Sequence, residues 1–158
     1  MKKKHTYLIV IAALLIAVTA SVASVVITMI KMPPKGSISI VWDGKEHFFD
    51  PAKASTIEVS GVTVNAKGET KNVEARGYLL KDVISLVGIQ TSDYTSANVT
   101  ASDSMSASLT YDEIAAPDKV FLTEDKSDNG DTTLRLTVFG DKDSKRQVKN
   151  VVRIDLIK

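Results

Sequence analysis

Four basic side chains, Arg76, Arg135, Arg146 and Lys149, could converge on an anion in this 158-residue chain. Guanidinium forks suit phosphate and carboxylate because their planar donors engage two oxygens at once. The plainer alternative makes Arg135 and Arg146 solvent-facing strand and turn residues, where such side chains usually lie. A second constellation begins at Asp125 and continues through Ser127, Asn129, Gly130 and Asp131, with oxygen-bearing residues at alternate positions. That spacing opens a calcium loop, but the twelfth position, where a glutamate is wanted, is Leu136. A solvated hairpin loop is the better reading. His47 stands between Glu46 and Phe48, and the other histidine is His5. It reads as a surface histidine, and a His-based catalytic triad would have to rest on it alone. The chain has neither a Gly-x-Ser-x-Gly elbow nor a Gly-rich phosphate loop.

Composition narrows the chemistry further. With no cysteine, the chain can form no disulfide, thiolate metal site or Cys nucleophile. Five basic residues flank an N-terminal apolar run, and all 19 acidic residues lie beyond it. Residues 36–158 therefore hold 15 basic against 19 acidic side chains, a net of −4. Dispersed, mildly acidic charge argues against nucleic acid as a partner.

Residues 7–30 carry no charge and are mostly Leu, Ile, Val and Ala. As a helix they would rise about 36 Å, more than the roughly 30 Å of hydrocarbon in a bilayer. The three lysines before them place the N-terminus in the cytoplasm. The expectation is a single-pass anchor with a tail at residues 1–6, a stalk at 31–36 and an extracytoplasmic domain at 37–158. A cleaved signal peptide is the alternative, but its apolar region is usually only about 7–15 residues long. Pro33 and Pro34 end any helix there.

Beyond the stalk, period-two alternation predicts strands at residues 37–42 and 45–49, joined through Asp43-Gly44. Alternation continues at 56–64, where Gly61 reads as a bulge, and more weakly at 70–75. Leu79, Leu80, Val83, Ile84 and Val87 sit at helical spacing before a Gly88 stop. Thr110 and Glu113 have capping-box spacing for a single-turn helix before Pro117. Short strands are expected at 97–102, 106–109 and 120–123, then a polar loop at 124–131. Further strands are expected at 133–139 and within 147–157. Trp42, Phe48, Phe49 and Phe139 are expected in the core rather than on a binding face. Strands outnumber helices, and the class is α+β.

Four blocks also resemble a known family, in the same order. Gly77, Leu80, Asp82 and Gly88-Ile89 form a pattern similar to the G-x-x-L-x-D-L-L…G-[IV] helix of the sulfite-oxidase-like molybdopterin-binding domain. Residues 101–106 resemble that family's S-S-D-G-Y-S segment. Asn129-Gly130 with residues 134–138 resembles its N-G-x-P-L-R-L-V-V-P run. Residues 148–154 resemble its closing V-K-x-[IV]-x-x-I strand. The resemblance implies a sulfite-oxidase-like fold and cofactor-contacting positions at Asp103, Asn129, Arg135, Arg146 and Lys149. It also implies a molybdenum-ligating cysteine in the region of Asn65, which this chain lacks. The proline after the Val-rich strand is Phe139, and Gly-Tyr after the aspartate is Ser104-Met105. Fold alone does not transfer function.

The expectation is a membrane-anchored, non-catalytic, cofactor-free binding or redox-accessory module that serves a surface or membrane redox protein. No molybdenum chemistry is expected, although molybdopterin is possible by resemblance. One alternative is an oxidoreductase that holds a pterin or other anionic cofactor through Arg135, Arg146 and Lys149. A surface module for protein or polymer is the other.

Overall fold

Ile38–Trp42 (β1) and Lys45–Phe49 (β2) form the expected hairpin, with Asp43 and Gly44 both at positive φ, 50° and 72°. Two left-handed residues match the turn to the right-handed strand twist, which is why Asp-Gly suits it. In the computed structural model the described residues are 33–126, 130–142 and 144–158. The expected span at 7–30 lies outside them, and so does Asn129. Pro34–Lys158 forms one compact unit.

Two sheets carry the fold. The first has the order β2-β1-β9-β5-β6, with Ser96–Ala101 as β5, Ser106–Thr110 as β6 and Val151–Ile157 as β9. Only its β1–β9 pair is parallel; the others are antiparallel. The second sheet is antiparallel throughout, in the order β3-β4-β7-β8. Its strands are Ile57–Val64 (β3), Thr70–Leu79 (β4), Val120–Lys126 (β7) and Thr132–Val138 (β8). Val120 and Leu122 of β7 and Leu134, Leu136 and Val138 of β8 share one buried core with Ile40, Val99 and Ile154 of the first sheet. The period-two pleat puts these alternate side chains on one face.

Two short helices close that core. Leu80–Leu86 (α1) buries Leu80, Val83 and Ile84 at i, i+3 and i+4. It ends in a Schellman arrangement: Gly88 N–H donates to Ser85 O and Ile89 N–H to Ile84 O, with Gly88 at φ 85°. Tyr111–Ala115 (α2) carries the expected capping box, with Glu113 N–H donating to Thr110 Oγ1 and Thr110 N–H to Glu113.

The expected α+β class with a transmembrane helix is corrected here. The described chain is predominantly β, with two helices of seven and five residues. Among the described residues no helix is long and apolar enough to cross a membrane. Local differences have local causes. Leu79 belongs to β4 rather than the helix because it still pairs with Phe121. The loop expected at 124–131 is strand through Lys126, because β7 pairs with β8 out to Lys126 and Thr132. Gly61 is no bulge: it continues the β3–β4 register opposite Val73.

Candidate functional site

The odd-numbered residues of the second sheet face away from the main core, and their character changes along the strands. At one end Val59, Leu79, Phe121 and Phe139 form a separate small core, with Val73 and Ala75 against it. Next come Thr63, Thr123 and Thr137, all buried although polar. Thr123 and Thr137 hydroxyls lie 2.8 Å apart and share a hydrogen bond, which satisfies one of the pair inside the protein. At the open end stand Asp125 and Arg135.

Two glycines let the sheet curl around this face. At Gly77 a Cβ would stand 2.4 Å from Leu122 O, so only glycine lets β4 approach β7 this closely. β4 pairs with β7 at Gly77, Tyr78 and Leu79 alone, while residues 70–76 continue with β3 as a two-stranded arm. The arm is held at the far side. Gly140 N–H donates to Val62 O at 2.9 Å, and the Phe139 ring lies where a side chain on Gly61 would be. Between arm and hairpin is a cleft of about 540 Å³. Thr63, Asn65, Lys71 and Ala75 line one wall; Thr123, Asp125, Arg135 and Thr137 line the other.

Among the described positions that the resemblance implies, Arg135 alone lines this cleft. Its Nε and Nη2 both donate to Asp125 Oδ2, at 2.9 and 2.6 Å. The pairing follows from the hairpin register: Arg135 faces Thr123, which makes Asp125 its diagonal neighbour. Arg146 lies elsewhere, in an ion-pair knot. Its Nε and Nη2 donate to the two Asp141 oxygens, and Nη1 donates to both Glu113 oxygens at 2.9 and 3.0 Å. Lys119 Nζ adds a 3.4 Å contact to Glu113. Burial works against ionising Glu113, but the Thr110 amide and the Arg146 fork outweigh it and hold the carboxyl at about 2. Hydrogen bonds from Arg146 likewise hold Asp141 below the usual carboxylate range.

The remaining expected positions do other work. Asp103 accepts the Met105 N–H and shapes the β5–β6 turn, where Ser104 has φ 69°. Lys149 is exposed. Asn65, near the position of the family's cysteine, caps the β3–β4 turn: its Oδ1 accepts from Lys67 N–H and Glu69 N–H. Arg76 donates to Thr56 Oγ1. The four described positions taken from the resemblance, Asp103, Arg135, Arg146 and Lys149, are thus not gathered into one pocket, and Asn129 lies outside the described residues. His47 is half-buried on β2, with a buried Nε2 that meets no partner, rather than a surface residue. Phe49 and Phe139 are buried as expected, while Phe48 is exposed. Asp125, expected in a loop, is a strand residue and the Arg135 partner.

Of the positions the resemblance implies, Arg135 and Arg146 are already paired with carboxylates of the chain, so neither offers a free fork to the phosphate of a pterin cofactor. A metal centre finds no cluster of three His, Cys, Asp or Glu side chains among the described residues. What the sequence left unmarked are the buried threonines and the pairing of Asp125, Asp141 and Glu113 with the arginines. Thr123 and Thr137 share the parity of Phe121 and Phe139, which was the available signal for a polar stretch on an inward face.

No family model matches the chain, and no curated protein does. Among solved structures, its fold is similar to the sulfane dehydrogenase SoxCD from Paracoccus pantotrophus, with a TM-score of 0.59 and 16% identity. The match covers 77% of this chain and 38% of that one, so this chain spans well under half of that length. Likeness at this identity is likeness of fold. It agrees in coarse form with the oxidoreductase-like fold that the four motif blocks implied.

Proposed function

We propose that residues 34–158 are a non-catalytic binding or redox-accessory module on an oxidoreductase-like fold, acting outside the cytoplasm. One observation carries this reading: Arg135 and Arg146, the side chains best suited to an anionic cofactor, are spent on Asp125, Asp141 and Glu113. An arginine whose charge is already neutralised by a neighbouring carboxylate presents less positive potential to an anion, which weakens binding there. Export is supported by the lysines and uncharged apolar residues at the N-terminus, and protease accessibility in intact cells would test it.

Native mass spectrometry with metal analysis, on full-length protein taken gently from its own cells, tests the central claim. The expected result is the mass of the chain alone. Stoichiometric molybdenum, or a mass excess matching a pterin, would overturn it. A second reading, an oxidoreductase with an anionic cofactor, is favoured by the fold shared with a dehydrogenase. It requires that Arg135→Ala lose a cofactor that the parent protein carries.

A further inference from the structure

We propose that the arm strand β4 receives an extended peptide segment of a partner protein, added as a strand along residues 70–76 inside the cleft. This rests on the binding-module reading and names its partner class.

The backbone directions can be assigned from two bonds. Val62 O turns away from β4, because it accepts from Gly140 N–H. Val62 and its register partner Asn72 are therefore a non-hydrogen-bonded pair in the β3–β4 ladder. The bond from Asn65 N–H to Glu69 O, three residues nearer the turn, has the alternate parity that this requires. It follows that Thr70, Asn72, Glu74 and Arg76 point their N–H and C=O groups away from β3. On that side β4 meets β7 only at Gly77, Tyr78 and Leu79. Beyond Gly77 and its flanking bonds the ladder stops although β4 continues, and Thr70, Asn72 and Glu74 offer six backbone groups with no strand among the described residues to meet them.

This is unlike an ordinary sheet edge. β4 is an interior strand whose neighbour departs, so an added strand would continue an existing ladder. Peptides bound by strand addition draw affinity from such backbone bonds and specificity from alternate side-chain pockets. Here Val73 and Ala75 offer small apolar contacts, and Thr123 with the Asp125–Arg135 pair faces them across the cleft. Because that pair is internally neutralised, the segment it suits has small, uncharged side chains where it meets this wall.

A phage-displayed random dodecapeptide library, panned on the full-length protein, tests the idea. Enriched peptides are synthesised and titrated against three proteins: the parent, Glu74→Pro and Glu74→Gln. Proline at 74 removes an outward N–H and leaves the β3 ladder intact, a position where strands tolerate it. The expected result is binding weakened by at least about tenfold in Glu74→Pro and retained in Glu74→Gln. N-methylation of single peptide amides should weaken binding at alternate positions only. Equal binding by parent and Glu74→Pro would overturn the site while leaving a binding module in place. Failure to enrich any peptide, or a stable dimer with hydrogen-exchange protection over residues 70–76, would overturn the heterologous peptide partner. A bound pterin in the parent protein would instead remove the reading on which the proposal rests.

Discussion

The two faces of the β7–β8 hairpin are built by adjacent residues and behave differently. On the even face Leu122, Leu134, Leu136 and Val138 join a continuous apolar core between two sheets. On the odd face the series runs from Phe121 and Phe139 through Thr123 and Thr137 to Asp125 and Arg135. The even face is covered at Val120, Leu122, Leu134, Leu136 and Val138, while Glu124, Lys126 and Thr132 at the open end of the hairpin are exposed. The odd face is covered by the curled arm, and a cleft opens where its residues become polar. Coverage thus follows hydrophobic content, because a sheet face that buries hydroxyls and charges gains less from a second layer.

The largest break in this comparison comes from the pivot rather than from either face. Gly77→Ala sets a Cβ against the Leu122 carbonyl and the Thr123 Cα, 2.4 and 2.8 Å away, and backbone cannot step aside as a side chain can. A loss of at least about 3 kcal/mol is expected, read as a shifted midpoint in urea unfolding of the full-length protein. A variant as stable as the parent would mean that β4 does not cross β7 so closely.

Next in size is a pair of neighbours on opposite faces. Leu136 is fully buried, and Leu136→Ala should cost about 2–5 kcal/mol through lost transfer energy and a cavity. Thr137→Val keeps the volume but leaves the Thr123 hydroxyl with the weaker 3.4 Å bond to Arg135 O. About 1 kcal/mol is expected. Equal costs for the two, in the same urea series, would erase the distinction between the faces.

The ion-pair knot gives an effect of intermediate size with a pH signature. Glu113 titrates at about 2 in the folded protein against an ordinary 4.5. A depressed carboxyl contributes its stability above the unfolded value and loses it as pH falls through the folded one. Between pH 5 and 2, then, the parent should lose about 1–2 kcal/mol from this group, allowing for solvent screening. Glu113→Gln should show a flatter stability–pH curve over that window. Parallel curves would show that the knot does not carry the acid sensitivity.

How much of this could be read from residue order differs between the two faces as well. The alternation of Leu134, Leu136 and Val138, the Asp-Gly hairpin, the Gly88 stop and the Thr110–Glu113 box are local patterns, and each appears in the structure. The curl is not local. It depends on Gly77 meeting Leu122 and on Gly61 meeting Phe139, contacts between strands far apart in sequence. In sequence Gly61 looked like a bulge because the partner that explains it is 78 positions away. The arginines were visible as forks, but their partners depend on pairing. Glu113 is 33 residues from Arg146, and Asp125 becomes the diagonal partner of Arg135 only once the hairpin register is known.

The smallest expected effect is at Arg135, and it sharpens the contrast most directly. The Arg135–Asp125 pair is about one-third exposed on both sides, 30% and 32%. Pairs at that exposure contribute about 0–1 kcal/mol, since water screens the attraction and the side chains lose freedom. Arg135→Gln should therefore unfold within about 1 kcal/mol of the parent. If the cleft instead held an anion, the same substitution would abolish that binding and leave stability just as unaffected. Paired urea and native mass measurements on Arg135→Gln thus separate the two roles. A mass excess in the parent that vanishes in the variant assigns Arg135 to a ligand. Unchanged chain mass in both leaves it as the polar end of a face whose apolar end carries the stability.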